Sequence, residues 1–168
     1  MGHNTFVGYD NIIPLLAPVD IGTTITATPY VDLKGSHHCA FLINFGVFTP
    51  TATTDFEVIT VEAASAVDAA EAAIAYNYRL SGIVGTNTWG AITAVGATGA
   101  YIDGVTGDAV SYWIEVDADT LAANNYRYLR VRLTDDTSTT VCLVAVNAFL
   151  SQRYRQTTYA SATASASA

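Results

Sequence analysis

Between Val110 and Phe149 apolar and polar residues alternate along the chain, with turn residues between the runs. Val110, Tyr112, Ile114 and Val116 fall on one face; Ser111, Trp113, Glu115 and Asp117 fall on the other. After Asp117-Ala118-Asp119 and Asn124-Asn125 the pattern resumes, with Arg127, Leu129, Val131 and Leu133 opposite Tyr126, Tyr128, Arg130 and Arg132. Asp135-Asp136-Thr137-Ser138 marks a turn, and Val141 to Phe149 is apolar except for Asn147. Successive side chains of a strand point to opposite faces, so this period predicts antiparallel strands with one buried face.

The same reading extends upstream. Pro14 and Pro18 forbid a helix over residues 1–20, which are expected as an extended N-terminal arm carrying Ile12, Ile13, Leu15 and Leu16. Ile21, Thr23, Ile25 and Ala27 alternate up to Pro29. Residues 38–48 are apolar on both faces, as in a central sandwich strand. In Asp55 to Glu62, Phe56, Val58 and Thr60 oppose Glu57, Ile59 and Val61. Ala63 to Ala75 has helix-forming composition, but Ile74, Tyr76, Tyr78 and Leu80 share one face. A loop or helical turn at 64–71 and a strand at about 72–80 are expected. Trp89 to Val95 forms a further strand, and Gly96 to Asp108 a Gly-rich hairpin region. Eight to ten short strands at this spacing predict an all-β, antiparallel β-sandwich of jelly-roll-like build over residues 21–155. The Thr/Ala/Ser stretch 156–168 is expected as a flexible tail.

Composition narrows the partners. The 168 residues suit one domain able to bury roughly 70% of its unfolded surface. Hydrophobic residues make up 51% and charged residues 13%, so the surface is unusually uncharged. Fifteen acids against seven bases give a net charge of −8, and Lys34 is the sole lysine. Nucleic-acid binding needs a basic footprint, which is missing. Apolar runs are of strand length, below the ~20 residues that cross a bilayer, and the start Met1-Gly2-His3-Asn4 does not read as a signal peptide. Synthesis and assembly in a cytoplasm, away from membranes, are therefore expected. Cys39 and Cys142 lie within strand-like runs and read as buried free thiols rather than a disulfide.

No catalytic or metal signature stands out. His37-His38-Cys39 places only His37 and Cys39 on one face, short of a tetrahedral ligand set. Asp103, Asp108, Asp117, Asp119, Asp135 and Asp136 read as turn formers, since none sits in a dedicated calcium-loop spacing. Histidines occur only at 3, 37 and 38, and no Gly-x-Ser-x-Gly elbow is present. Glu57, Glu62 and Glu115 are hydrolytic candidates by residue type alone. Gly82-x-x-Gly85 and Gly96-x-x-Gly99 lack a phosphate-cradling lysine. No enzyme activity, cofactor or metal is expected. Tyr126, Tyr128, Arg130 and Arg132 are instead residue types enriched at protein interfaces, and they are the expected contact surface.

Several strand sequences carry a resemblance. Phe41-Leu42-Ile43-Asn44-Phe45-Gly46, Asp55-Phe56-Glu57-Val58, Tyr78-Arg79-Leu80-Ser81-Gly82 and Thr88-Trp89-Gly90-Ala91-Ile92-Thr93 resemble segments of the auxiliary proteins of tailed-bacteriophage heads. Ile114 to Leu121, Tyr126 to Val131 and Val141 to Leu150 extend the resemblance over about residues 20–155. It is a pattern of strands, not a sharp motif. It implies a capsid decoration (cement) protein on the virion exterior, commonly a homotrimer, bound to the major capsid protein without catalysis. The resemblance implies that the extended N-terminal arm, with Ile12, Ile13, Leu15 and Leu16, or the tail would reach the neighbour; the Tyr/Arg face is the other expected contact. The alternative is a carbohydrate-binding module or tail-fibre adhesin, with Trp89, Trp113 and tyrosines forming a sugar-stacking platform. A sandwich hydrolase using Glu57 or Glu115 is the third reading.

Overall fold

The computed structural model describes residues 10–21, 26–49, 56–67, 69–82, 86–103, 109–117, 121–135, 142–152 and 162–163. They form two antiparallel sheets packed face to face. The first contains β1 (Asp10–Asp20), β4 (Ser36–Phe45), β7 (Tyr76–Leu80), β8 (Thr93–Val95), β10 (Ser111–Asp117) and β12 (Leu143–Gln152). Its order is β1-β12-β4-β10-β7-β8. The second contains β2 (Thr26–Ala27), β3 (Tyr30–Asp32), β5 (Phe56–Ala64), β6 (Ala72–Ile74), β9 (Ala100–Asp103), β11 (Tyr128–Asp135) and β13 (Ala162–Thr163). Here the path runs β13-β3-β11-β5-β6, with β2 also on β11 and β9 also on β5. Apart from a helical turn at Leu121–Ala122, the described residues are strands and their connections. The all-β sandwich expected from the alternation is the observed architecture.

The period of two explains which side chains meet. In the first sheet Cys39, Phe41, Ile43 and Phe45 face inward beside Tyr112, Ile114 and Val116 on one flank and Val144, Val146, Ala148 and Leu150 on the other. From the second sheet Ile59, Val61 and Ala63 join Leu129, Val131 and Leu133 in the same core. Each large side chain buried this way contributes ~1.5–3 kcal/mol. Cys39 and Cys142 are buried thiols that form no disulfide, as expected, and burial alone pushes the Cys39 thiol far above its ordinary value.

A buried polar bridge ties the two sheets. The chain leaves the second sheet after Ile74 and enters the first at Tyr76, so the loop-then-strand expectation resolves into two strands in different sheets. Tyr76, almost fully buried, sends its hydroxyl back to the second sheet. The hydroxyl donates to the Ile59 carbonyl at 2.6 Å and accepts from the Ala100 amide at 3.0 Å. Gly99, next to Ala100, sits at φ +90° with Ile59 O only 2.5 Å from where a Cβ would stand. Glycine is required there by both conformation and space.

Two expectations need correction. Residues 10–20 do not leave the body as an arm: they pair antiparallel with β12 along the sheet edge. Pro14 and Pro18 are compatible with this because an edge strand need not donate on its open side, and register shifts flank Leu16. Ile13 and Leu15 therefore point into the chain's own core, Leu16 packs against it, and Ile12 is the outward apolar residue of the four. Within the tail, Ala162 and Thr163 pair with Val31 and Tyr30 of β3. The open edge of β3 supplies the backbone partners. The rest of 156–168, residues 1–9 and 118–120, and the turn from Asp136 lie outside the described residues.

Candidate functional site

Each sheet turns one face away from the core, and the two faces differ in chemistry. On the second sheet, β11 directs Tyr128, Arg130 and Arg132 outward, opposite the core residues Leu129, Val131 and Leu133. Register places Arg130 beside Glu62 and Arg132 beside Thr60 on β5. Arg130 is nearly buried. Its Nε donates to Glu62 Oε2 at 2.7 Å, and its second arm meets Glu71 Oε1 at 2.5 Å. Arg132 reaches Glu62 Oε1 at 3.2 Å. Tyr30 completes the group: its hydroxyl donates to Glu71 Oε1 at 2.8 Å, and the Arg130 guanidinium lies 4.8 Å from its ring centre. Burial and the Glu71 hydrogen bond push the Tyr30 phenol up to about 12.

Tyr128 stands at the end of this face, edge-on to Tyr30 with ring centres 6.4 Å apart. Arg127 pairs with Asp32 and lies over the Tyr128 ring. Burial pushes the Asp32 carboxyl up, but hydrogen bonds from Arg127 and the Lys34 amide outweigh it and hold the group below its ordinary value. Three arginines thus meet three carboxylates. Tyr126 does not join them. It precedes β11, its amide bonds to the Leu121 carbonyl, and its ring packs against the core beside Leu33 and Leu121. The expected four-residue stripe is therefore Tyr128 and Arg132 outward, Arg130 held by acids, and Tyr126 turned aside.

On the first sheet, Trp113 projects outward from β10 between Leu42 of β4 and Arg79 of β7. Its ring meets Phe149 of β12 at 5.1 Å between centres, and its Nε1 donates to Glu115 Oε1 at 2.7 Å. Trp89 arrives from a segment laid against the end of β7, fixed by Ser81–Trp89 pairing and by the Gly90 amide on the Leu80 carbonyl at 2.8 Å. The two indoles meet edge to face, 6.4 Å apart. Arg79, Trp89, Trp113 and Glu115 line an open cleft of about 360 Å³, within the ~300–1,000 Å³ typical of small-ligand sites. The sequence singled out Trp89, Trp113 and Glu115 separately; Arg79 and Phe149 are additions from cross-strand register.

The acids considered for hydrolysis do not meet. Glu115 belongs to the first sheet, Glu57 to the second, and Glu62 is held by two arginines. Among the described residues no group of three His, Cys, Asp or Glu side chains could hold a metal. Cys39 faces the core, and His38, its neighbour, points to the other side. Among the described residues no helix is long and apolar enough to cross a membrane. Comparisons with protein-family models, with curated proteins and with solved structures found no match to this chain.

Proposed function

We propose that this chain is a non-enzymatic structural protein of a virion, a jelly-roll-like decoration protein that binds the outer surface of a bacteriophage head. It is assembled in the host cytoplasm, associates with the major capsid protein, and acts as a homotrimer. The observation that carries this reading is the outward face of the second sheet. Its three arginines are matched by three carboxylates within the chain, so this face is close to neutral on a protein of net charge −8. Charges already paired and partly dehydrated add less to the cost of docking than isolated ones. Exposed Tyr101 and half-buried Tyr128, Thr60 and Arg132 extend the face as the amphipathic contacts that interfaces favour. Many such contacts on a repeating shell add through multivalency.

The test is reconstitution on particles that lack the protein. Wild-type chain should bind in proportion to the number of shell subunits and raise the particles' resistance to heat. Tyr128→Ala combined with Tyr101→Ala, which leaves the arginine–carboxylate pairs intact, should fold normally and fail to bind. Wild-type protein that remains unbound at saturating concentration, or a handful of copies per particle, rules out the assignment. Equilibrium sedimentation decides the trimer.

A further inference from the structure

The outward face of the first sheet holds chemistry that the docking role leaves unused. We propose that the open cleft lined by Arg79, Trp89, Trp113 and Glu115 binds a neutral pyranose sugar on its indole surface, with Arg79 donating to its hydroxyls and Glu115 accepting from them. A pyranose presents an apolar C–H face and a rim of hydroxyls that both donate and accept. The cleft offers the complement: indole surface flanked by one cation and one anion.

Three observations favour this ligand. Trp113 is fixed before any ligand arrives, by its contact with Phe149 and its hydrogen bond to Glu115, whereas Trp89 is 41% exposed and available to stack. A rigid platform loses little freedom on binding. Arg79 makes no ion pair among the described residues, although Arg127, Arg130 and Arg132 all do. It shares the cleft with Glu115, yet the two do not close on one another. Their donors and second acceptor oxygen stay open to a third group. Charge then selects among sugars: an acidic glycan would meet Glu115 and a chain of net charge −8, while a neutral one meets no repulsion.

The two sheets turn their outward faces in opposite directions. A chain docked by the second sheet therefore directs this cleft away from the docked surface. The sugar site does not depend on that docking, because the free chain already contains every residue of the cleft.

Titration of the free protein with cellohexaose, maltohexaose and chitohexaose, followed by tryptophan emission and calorimetry, tests the proposal. At least one oligosaccharide should give a saturable emission change. Trp89→Ala should weaken that binding roughly tenfold or more, as expected for loss of a stacking anchor. Arg79→Ala and Glu115→Gln should each weaken it severalfold with melting unchanged, and the exposed Arg79 makes its variant safe for folding. Absence of saturable binding to all three oligosaccharides overturns the proposal, as does binding unaltered in both Trp89→Ala and Arg79→Ala. Loss of particle association in Trp89→Ala also overturns it, since protein would then cover the cleft. Failure of the wild-type chain to bind particles, with sugar binding intact, removes the decoration role alone.

Discussion

Replacing Tyr76 by phenylalanine removes one oxygen from the inside of the sandwich and strands two backbone groups. The hydroxyl accepts the Ala100 amide at 3.0 Å and donates to the Ile59 carbonyl at 2.6 Å. Tyr76 is 4% exposed and Ala100 6%, so little solvent is at hand to replace either bond. An unpaired buried polar group costs about 1–3 kcal/mol, and the phenyl ring itself is retained, so no large cavity offsets or adds to this. A loss of about 2–4 kcal/mol is expected, against a total stability on the order of 5–15 kcal/mol. For a chain of this size that corresponds to a fall in Tm of roughly 5–12 °C. Urea unfolding should show a lower midpoint with an unchanged slope, because the surface exposed on unfolding is the same. Hydrogen exchange at the Ala100 amide should accelerate more than at neighbouring strand amides. A Tyr76→Phe protein within about 0.5 kcal/mol of wild type, with Ala100 exchange unaltered, would refute the bridge, since surface-like changes are of that size.

Removing Glu62 takes from the nearly buried Arg130 the more deeply buried of its two carboxylate partners, so Glu62→Ala should cost about 3–5 kcal/mol in chemical denaturation, while Glu62→Met with Arg130→Met should cost much less than the single change. Gly99→Ala forces a Cβ to within 2.5 Å of Ile59 O at φ +90° and should lower the unfolding midpoint by at least about 1–2 kcal/mol, read by the same urea titration. Tyr30 is raised to about 12 and Tyr76 higher still from an ordinary 10.0, so the unfolded chain loses these protons first. Their stabilisation is complete below pH 10 and is lost as pH climbs from 10 through 12. Absorbance at 295 nm, a phenolate-sensitive wavelength, should show at least two of the ten tyrosines ionising late and together with unfolding. Asp32 behaves oppositely: its carboxyl is held below 3.8, so its contribution is present above that value and fades as pH falls further, which Asp32→Asn should abolish in an acid-unfolding series.

Local pattern was a good guide to faces and a poor guide to partners. Ile114 and Val116, or Leu129, Val131 and Leu133, reveal their burial by alternation because the signal lies within one strand. That Arg130 meets Glu62 is a contact across 68 residues, and no periodicity encodes which strand lies alongside. The same holds for Trp89 and Trp113, whose proximity depends on β7 and β10 being neighbours and on the segment after Gly82 folding back along β7. Prolines misled in one place. Pro14 and Pro18 argued for a free arm, but an edge position tolerates the lost amide donors, and Ile13 and Leu15 gain burial by staying. Tyr126 was misplaced because Asn125, at φ 58°, ends the turn two residues before regular pairing begins. The left-handed conformation of an Asn is a local signal, but the point at which alternation resumes after it is not.

The two outward faces differ in how charge is used, and that difference separates the two proposals experimentally. On the second sheet every described arginine is matched, so a substitution such as Glu62→Ala disturbs folding before it reports on any partner. Only side chains outside the ion pairs, Tyr101 and Tyr128 foremost, can test docking cleanly. On the first sheet the opposite holds. Among the described residues Arg79 makes no ion pair, Trp89 is exposed, and neither belongs to the buried core. Arg79 is exposed and Trp89 keeps part of its ring open to solvent, so replacing them should cost far less stability than replacing Glu62 or Arg130 and still change what the protein binds. A residue pair whose removal leaves the melting temperature fixed but eliminates an interaction identifies a site; a pair whose removal lowers both identifies scaffold. By that criterion Arg79 and Trp89 are expected to behave as the first kind, and Glu62 and Arg130 as the second.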